Sequence, residues 1–367
     1  MQSVYAVVMA GGRGERFWPL STEERPKPFV PLVGPKTLLQ ETVERLQPLF
    51  PPERIFVAIG EAHRPLAVSQ VPGIPPENLI VEPVGRDTAA CLGWSALHLE
   101  RRDSGAVMLA LPADHFISDP ECFRQTIRCA IDNLPGATGV VFGITPDRPE
   151  TGYGYIRAEK PAVPSEAWPV VSFVEKPDAA TAAAYLETGR YFWNSGMFLW
   201  RTRTLLDLFE KHMPDTSARL NRLRPMVGRE ERRDEIRELF SSMRRVSIDY
   251  GILERAAGLR LVPARFAVYI ARSARMSRLR VSSFSASRMV MPTLLVTTTV
   301  RPSMVMGSLT ARSSFSPACE RSATLRRRGR TTTNSSPPIR AAVSTFRMWR
   351  RSLDAVTRST WSPKACP

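Results

Sequence analysis

An α/β fold is predicted, with a sheet covered by helices on both faces. Three observations lead there. A wholly apolar run, residues 4–9, opens into a glycine-rich loop. Apolar runs of strand length alternate with segments of helical spacing. The alternation then stops abruptly near Ala267, which sets the limit of the folded region.

Taken in order, residues 4–9 read as a buried strand. Residues 36–50 read as a helix, with Leu38, Leu39, Val43, Leu46 and Leu49 at helical spacing. Residues 54–59 and 78–81 are short strands, 88–101 a helix and 106–111 a buried strand. Residues 139–144 and 170–174 continue the strands, and 205–212 and 232–243 are helical. There is no internal repeat.

Of the 367 residues, 43% are hydrophobic, enough for a core. The five cysteines form no Cys-x-x-Cys pair and read as reduced thiols. No charged-then-apolar leader precedes the first strand and no stretch is long enough to span a bilayer, so a cytoplasmic protein without a membrane partner is expected. The net charge of +16 would suggest a nucleic-acid binder. Its distribution argues against that. Residues 268–367 hold 17 Arg and one Lys against one Glu and one Asp, whereas residues 1–267 are balanced at 33 basic and 33 acidic.

The loop after the first strand carries the chemistry. Gly11, Gly12 and Gly14 bring bare backbone N–H groups toward a ligand, which suits phosphate. Arg16 and Lys27 add two cations that no nearby motif residue neutralises. Pro19 stiffens the loop, and Pro26 and Pro28 are expected to hold Lys27 in an extended segment. A Walker loop is excluded because no Gly-Lys-Ser/Thr follows, and a dinucleotide fingerprint because its third glycine position is Phe17. A nucleoside triphosphate site at the carboxyl end of the first strand is the physical reading.

At Gly12-Arg13-Gly14-Glu15-Arg16-Phe17-Trp18-Pro19-Leu20-Ser21 and Pro26-Lys27-Pro28 the chain resembles the sugar-1-phosphate nucleotidyltransferases. Four further blocks resemble their mannose-1-phosphate guanylyltransferase branch: residues 82–89, 112–115, 173–177 and 193–198. The resemblance runs from about residue 3 to residue 267. It implies a Rossmann-like mixed sheet, with residues 1–267 as the catalytic domain, cut short at its C-terminal edge. It also implies transfer of GMP from GTP to α-D-mannose 1-phosphate with release of pyrophosphate. No protein nucleophile is needed, so catalysis is positioning and charge neutralisation.

The resemblance distributes the roles. Gly11, Gly12 and Gly14 would lie against the triphosphate, Arg16 against its β/γ side and Lys27 against the α-phosphate. Gly85 and Thr88 lie in the block that reads the base, where Asp87 stands in place of the Asn of many relatives. Gly152, in the glycine-flanked turn 151–155, would approach the sugar. Glu175 would bind sugar hydroxyls, Lys176 the sugar phosphate, and Asn194 further hydroxyls. Asp114, at a strand's carboxyl end, is the Mg²⁺ ligand candidate. His115 is expected to be structural, since the transfer needs no base. Asp249 is either near the sugar or a cap on the helix through Leu253 and Arg255. Phe192, Trp193 and Phe198 are expected in the core.

The family's second metal-binding Asp lies in a Trp-x-Asp-x-Gly segment after Phe266. Here there is no Asp between Asp249 and Asp354, so impaired or absent turnover is expected. Residues 268–367 are read as an off-frame translation, expected to be disordered. A natural basic tail is the competing reading. Translating the gene in its other two frames separates them: restoration of Trp-x-Asp-x-Gly supports the first. The apolar run at residues 289–300 predicts poor solubility. Alternatives left open are another nucleoside triphosphate and hexose 1-phosphate, an inactive nucleotide-sugar-binding protein, and a tail-borne nucleic-acid binder. A homodimer is the one protein partner left open.

Overall fold

The computed structural model describes residues 3–12, 20–32, 34–161, 167–264, 266 and 268–270. Gly14 and Arg16 lie outside them, as does the remainder of the basic tail. The chain divides into two units, Met1–Val281 and Ser282–Pro367; the second lies wholly outside the described residues.

Four parallel strands form one half of a nine-stranded sheet: β1 (Val4–Met9), β2 (Ile55–Gly60), β3 (Leu79–Glu82) and β4 (Val107–Pro112), in the order β3-β2-β1-β4. The other half is mixed. It contains β6 (Gly139–Ile144), β7 (Gly154–Ala158), β8 (Trp168–Glu175), β9 (Tyr191–Arg201) and β10 (Leu259–Ala264). The order continues β9-β6-β10-β8-β7, and β9 runs antiparallel to both β4 and β6. A separate two-stranded ribbon pairs β5 (His115–Ile117) with β11 (Val268–Ile270).

The parallel strands are apolar throughout because both faces are buried. On β1, Ala6 and Val8 point into one core and Tyr5 and Val7 into the other. Helices α1 (Leu38–Leu46) and α4 (Pro120–Asp132) supply Leu39, Val43, Leu46, Phe123 and Ile127 to the first. Helices α3 (Asp87–Arg102), α6 (Thr202–His212), α7 (Pro214–Leu223) and α8 (Arg233–Ser241) supply Leu92, Leu97, Phe209, Leu220 and Leu239 to the second. Helix α1 begins where Thr37 and Gln40 form a reciprocal capping box. Phe192 and Phe198 are core residues, as expected; Trp193 is buried too, its ring under the Arg148 guanidinium.

The α/β layering stands as expected. Short helix α2 (Arg64–Gln70), helices α4, α5 (Ala179–Thr188) and α7, and strands β5, β7, β9, β10 and β11 have no counterpart among the sequence expectations. Two local expectations are corrected. Only Pro26 is extended (φ −66°, ψ 166°); Lys27 opens a 3-10 turn with Pro28 and Phe29, because proline's fixed φ also suits the first turn of a helix. Asp249 caps nothing: it is the first residue of a π-helical turn, Asp249–Leu253, and no side chain caps that turn.

Candidate active site

The carboxyl ends of β1, β3 and β4 lie at one edge of the sheet, and Gly11, Glu82 and Asp114 leave from them. The Ala10 N–H donates to the Ala58 carbonyl and the Ala113 N–H to the Met9 carbonyl, which fixes how the chain leaves β1 and β4. A Cβ on Gly11 would stand 3.0 Å from Glu82 Oε1, whereas Gly12 and Gly85 border open space. Gly85 therefore leaves room for a ligand.

Lys27 and Asp114, 87 residues apart, form an ion pair at 2.7 Å. The expectation of an unneutralised Lys27 is corrected here: its ammonium is buried and already paired, because a cation taken from water needs an anion beside it. Burial pushes the Asp114 carboxyl up, but the Lys27 charge, the His115 ring when it is protonated at low pH, and the Lys27 hydrogen bond outweigh it and hold it below its ordinary value. His115 sits on β5 with Nε2 3.7 Å from Asp114. Burial lowers its pKa to about 4, against an opposing pull from Asp114, so the ring is neutral. That agrees with a structural role.

Thr88, in the first turn of α3, accepts a hydrogen bond from the Ile248 N–H at 2.9 Å. Its hydroxyl thus ties residues 82–89 to the segment that carries Asp249. Asp87, beside it, is one of two non-glycine residues with positive φ among the described residues, at 67°; the other is Lys176, at 49°. Both lie in segments singled out from sequence, where strained backbone recurs in functional sites.

The second cluster comes from β7, β8, β9 and the turn at Asp249. Register places Gly154 opposite Glu175, and any Cβ there would collide with the Glu175 carboxylate. Glycine at 154 leaves the space that the Glu175 carboxylate occupies; two residues earlier, the Gly152 N–H donates to Glu150. Glu175 pairs with Lys176. Asn194 donates to Asp249 Oδ1 at 2.6 Å and accepts from the Gly196 N–H at 3.0 Å. Burial pushes the Asp249 carboxyl up to about 6, the Asn194 hydrogen bond opposing and Glu175 assisting.

A bulge aims Asn194. Val141 and Gly143 of β6 face Phe198 and Asn194 of β9, so β9 carries extra residues there. Gly196 absorbs the kink with φ +69°. Ser195 stitches it, donating to the Phe142 carbonyl at 2.7 Å and accepting from the Met197 N–H at 3.2 Å. Such bulges redirect side chains beside functional sites. A Cβ on Gly196 would lie 3.3 Å from Pro112, two residues before Asp114, so the two clusters adjoin. Asp249 is the residue whose place sequence reasoning left open; only the long-range bond to Asn194 shows it.

Residues 5–225 match the nucleotidyl transferase family model, and the chain belongs to that family. It is 40% identical over 270 residues to a mannose-1-phosphate guanylyltransferase of Escherichia coli K12, covering 71% of this chain and 56% of that protein. It is 39% identical over 268 residues to the xanthan biosynthesis protein XanB of Xanthomonas campestris, covering 72% and 56%. The chain thus spans little more than half the length of these relatives. A crystal structure described as mannose-1-phosphate geranyltransferase from Thermus thermophilus matches with a TM-score of 0.69 and 40% identity, over 78% of this chain and 80% of that one. Among the described residues, no helix is long and apolar enough to cross a membrane.

Proposed function

We propose that the chain transfers GMP from GTP to α-D-mannose 1-phosphate, with Mg²⁺ as cofactor. The observation that carries this is the adjoining pair of clusters: a Lys27–Asp114 pair at the strand ends and a Glu175–Asn194–Asp249 network beside it. The similarity to proteins named mannose-1-phosphate guanylyltransferase supports the choice of substrates. A sugar-phosphate oxygen attacks the α-phosphorus, a new P–O bond forms, and the bond to the β-phosphate breaks as pyrophosphate leaves.

Lys27 would pass from Asp114 to the α-phosphate, placing a positive charge where negative charge is rearranged. Gly11, Gly12 and Gly14 would line the triphosphate, Arg16 would face its leaving end, and Gly85 and Thr88 would border the base. Gly152, Glu175 and Asn194 would border the sugar, and Lys176 its phosphate. Asp114 suits a divalent cation shared with phosphate oxygens: its carboxyl titrates below the ordinary range and about a third of the side chain (34%) is exposed. Bound there, Mg²⁺ would offset charge on the triphosphate.

Strand β11 runs beside β5 with Ile270 opposite His115, next in sequence to Asp114. Its three residues, Val268, Tyr269 and Ile270, bring no carboxylate. As no Asp lies between Asp249 and Asp354, slow turnover is expected, and an inactive binder of the nucleotide sugar is the second reading. Purified chain incubated with GTP, mannose 1-phosphate and Mg²⁺ is expected to release pyrophosphate and form GDP-mannose slowly. Equal rates with UTP or ATP would overturn the choice of GTP. GDP-mannose binding without pyrophosphate release would establish the second reading, and ordinary family-like turnover would overturn the expected impairment.

A further inference from the structure

The residues that follow β2 lie at the same sheet edge as Gly11 and Asp114, and the transfer makes no use of them. Glu61–His63 form a 3-10 turn that runs straight into helix α2. The turn is braced from helix α8: the Glu61 carboxylate pairs with Arg233 and Arg237, and Arg237 also donates to the Pro83 carbonyl at 3.2 Å. From this turn the His63 ring reaches the limb of chain that carries Lys27. Its Nε2 lies 2.9 Å from the Glu23 carbonyl oxygen, and its ring lies against Phe29, the centroids 5.8 Å apart. A carbonyl only accepts, so the hydrogen sits on Nε2. Nδ1 is buried and meets no hydrogen-bond partner among the described residues, which suits the bare nitrogen of that tautomer.

We infer that His63 is a positioning residue for Lys27. Its two contacts, Glu23 and Phe29, bracket Lys27 in the chain. The Phe29 end of the limb is already fixed: its side chain is fully buried and its carbonyl accepts from Gln70 of α2 at 3.3 Å. The other end is not, because residues 22–25 are exposed, and there His63 supplies the hold. The inference rests on the nucleotidyl-transfer reading and adds to it. Lys27 has to exchange Asp114 for a phosphate oxygen, with its ammonium on a flexible four-carbon stem. A backbone pinned on both sides confines that exchange to the side chain. A limb that drifts by about 1 Å would misplace the charge and weaken its contact with phosphate.

Equilibrium binding of GTP to the full chain, run as a double-mutant cycle with Lys27→Ala, tests it. His63→Phe keeps a ring against Phe29 and removes the donor. It also replaces the buried, partnerless Nδ1 by carbon, so urea unfolding is expected to show no loss of stability. GTP is expected to bind about tenfold more weakly to His63→Phe than to the parent, the worth of a charged hydrogen bond that Lys27 no longer makes well. In Lys27→Ala the same change is expected to cost less than about twofold. His63→Gln, whose amide can donate to the Glu23 carbonyl, is expected to bind GTP within about threefold of the parent. Should His63→Phe not fold, His63→Asn, polar but too short to reach the carbonyl, takes its place in the cycle. GTP affinity unchanged in the folded variant, or an equal loss with and without Lys27, overturns the assignment to His63 and leaves the transfer reading standing. Failure of the parent chain to bind GTP overturns both.

Discussion

The parallel and mixed halves of the sheet solve different electrostatic problems. In the parallel half, Lys27 and Asp114 meet as opposite charges, and the carboxyl is held below its ordinary value. In the mixed half, Asp249 meets an amide and a second carboxylate, and its carboxyl is pushed up to about 6. The first suits a highly charged phosphate chain. The second suits hydroxyls, which ask for acceptors and exert little field of their own. One sheet thus holds a charged site and a polar site side by side.

The largest expected effect breaks the charged side. Lys27→Ala is expected to lower kcat/KM for pyrophosphate release about 10²- to 10³-fold, the usual loss for one preorganised charge partner. A loss under threefold in steady-state assays would remove Lys27 from the chemistry.

Asp249→Asn sharpens the polar side through pH. The Asp249 pKa is raised from 3.8 to about 6, so the folded state holds this proton more tightly than the unfolded chain. Its contribution to stability is full below 3.8, falls as pH rises through that window and is gone above about 6. The variant keeps an acceptor for Asn194 and has no charge to bury. It is expected to be more stable than the parent above pH 6, by up to about 3 kcal/mol, with no such gain at pH 4. Urea melts at several pH values measure this; a gap independent of pH would refute the assignment.

Gly154→Ala is the smallest change, pressing a methyl group on the Glu175 carboxylate. Because the Glu175 carboxylate can swing aside, a stability cost of only about 1 kcal/mol is expected, with a raised KM for the sugar phosphate and nucleotide affinity unaltered. Equal losses for both substrates would show that the two sites are not separable.

The same comparison explains what could be read from the chain. The charged side is written locally: the glycines, Lys27 in its proline frame and Asp114 at a strand tip each announce themselves within a few residues. Even so, the Lys27–Asp114 pairing spans 87 residues, and nothing local predicts it. The polar side is assembled from distant strands. The Asn194–Asp249 bond spans 55 residues. Strands β7 and β9 escaped notice because β9 mixes Asn194, Ser195 and Gly196 into an apolar run, and the bulge breaks the period-two pattern. The closeness of Gly154 to Glu175 depends on strand register, which no local pattern gives. From sequence Asp249 reads equally as a residue near the sugar and as a cap, since an Asp ahead of a helical segment often is one.

Strand β9 borders β4 through Phe198 and Ala110 and, at the far side of its bulge, presents Asn194. On the proposed function it would act as a ruler laid between the two substrates, their spacing set by the bulged backbone from Asn194 to Phe198. Adding or deleting one residue between Asn194 and Phe198 would change the gap that the attacking oxygen must bridge, with every side chain that touches either substrate left intact.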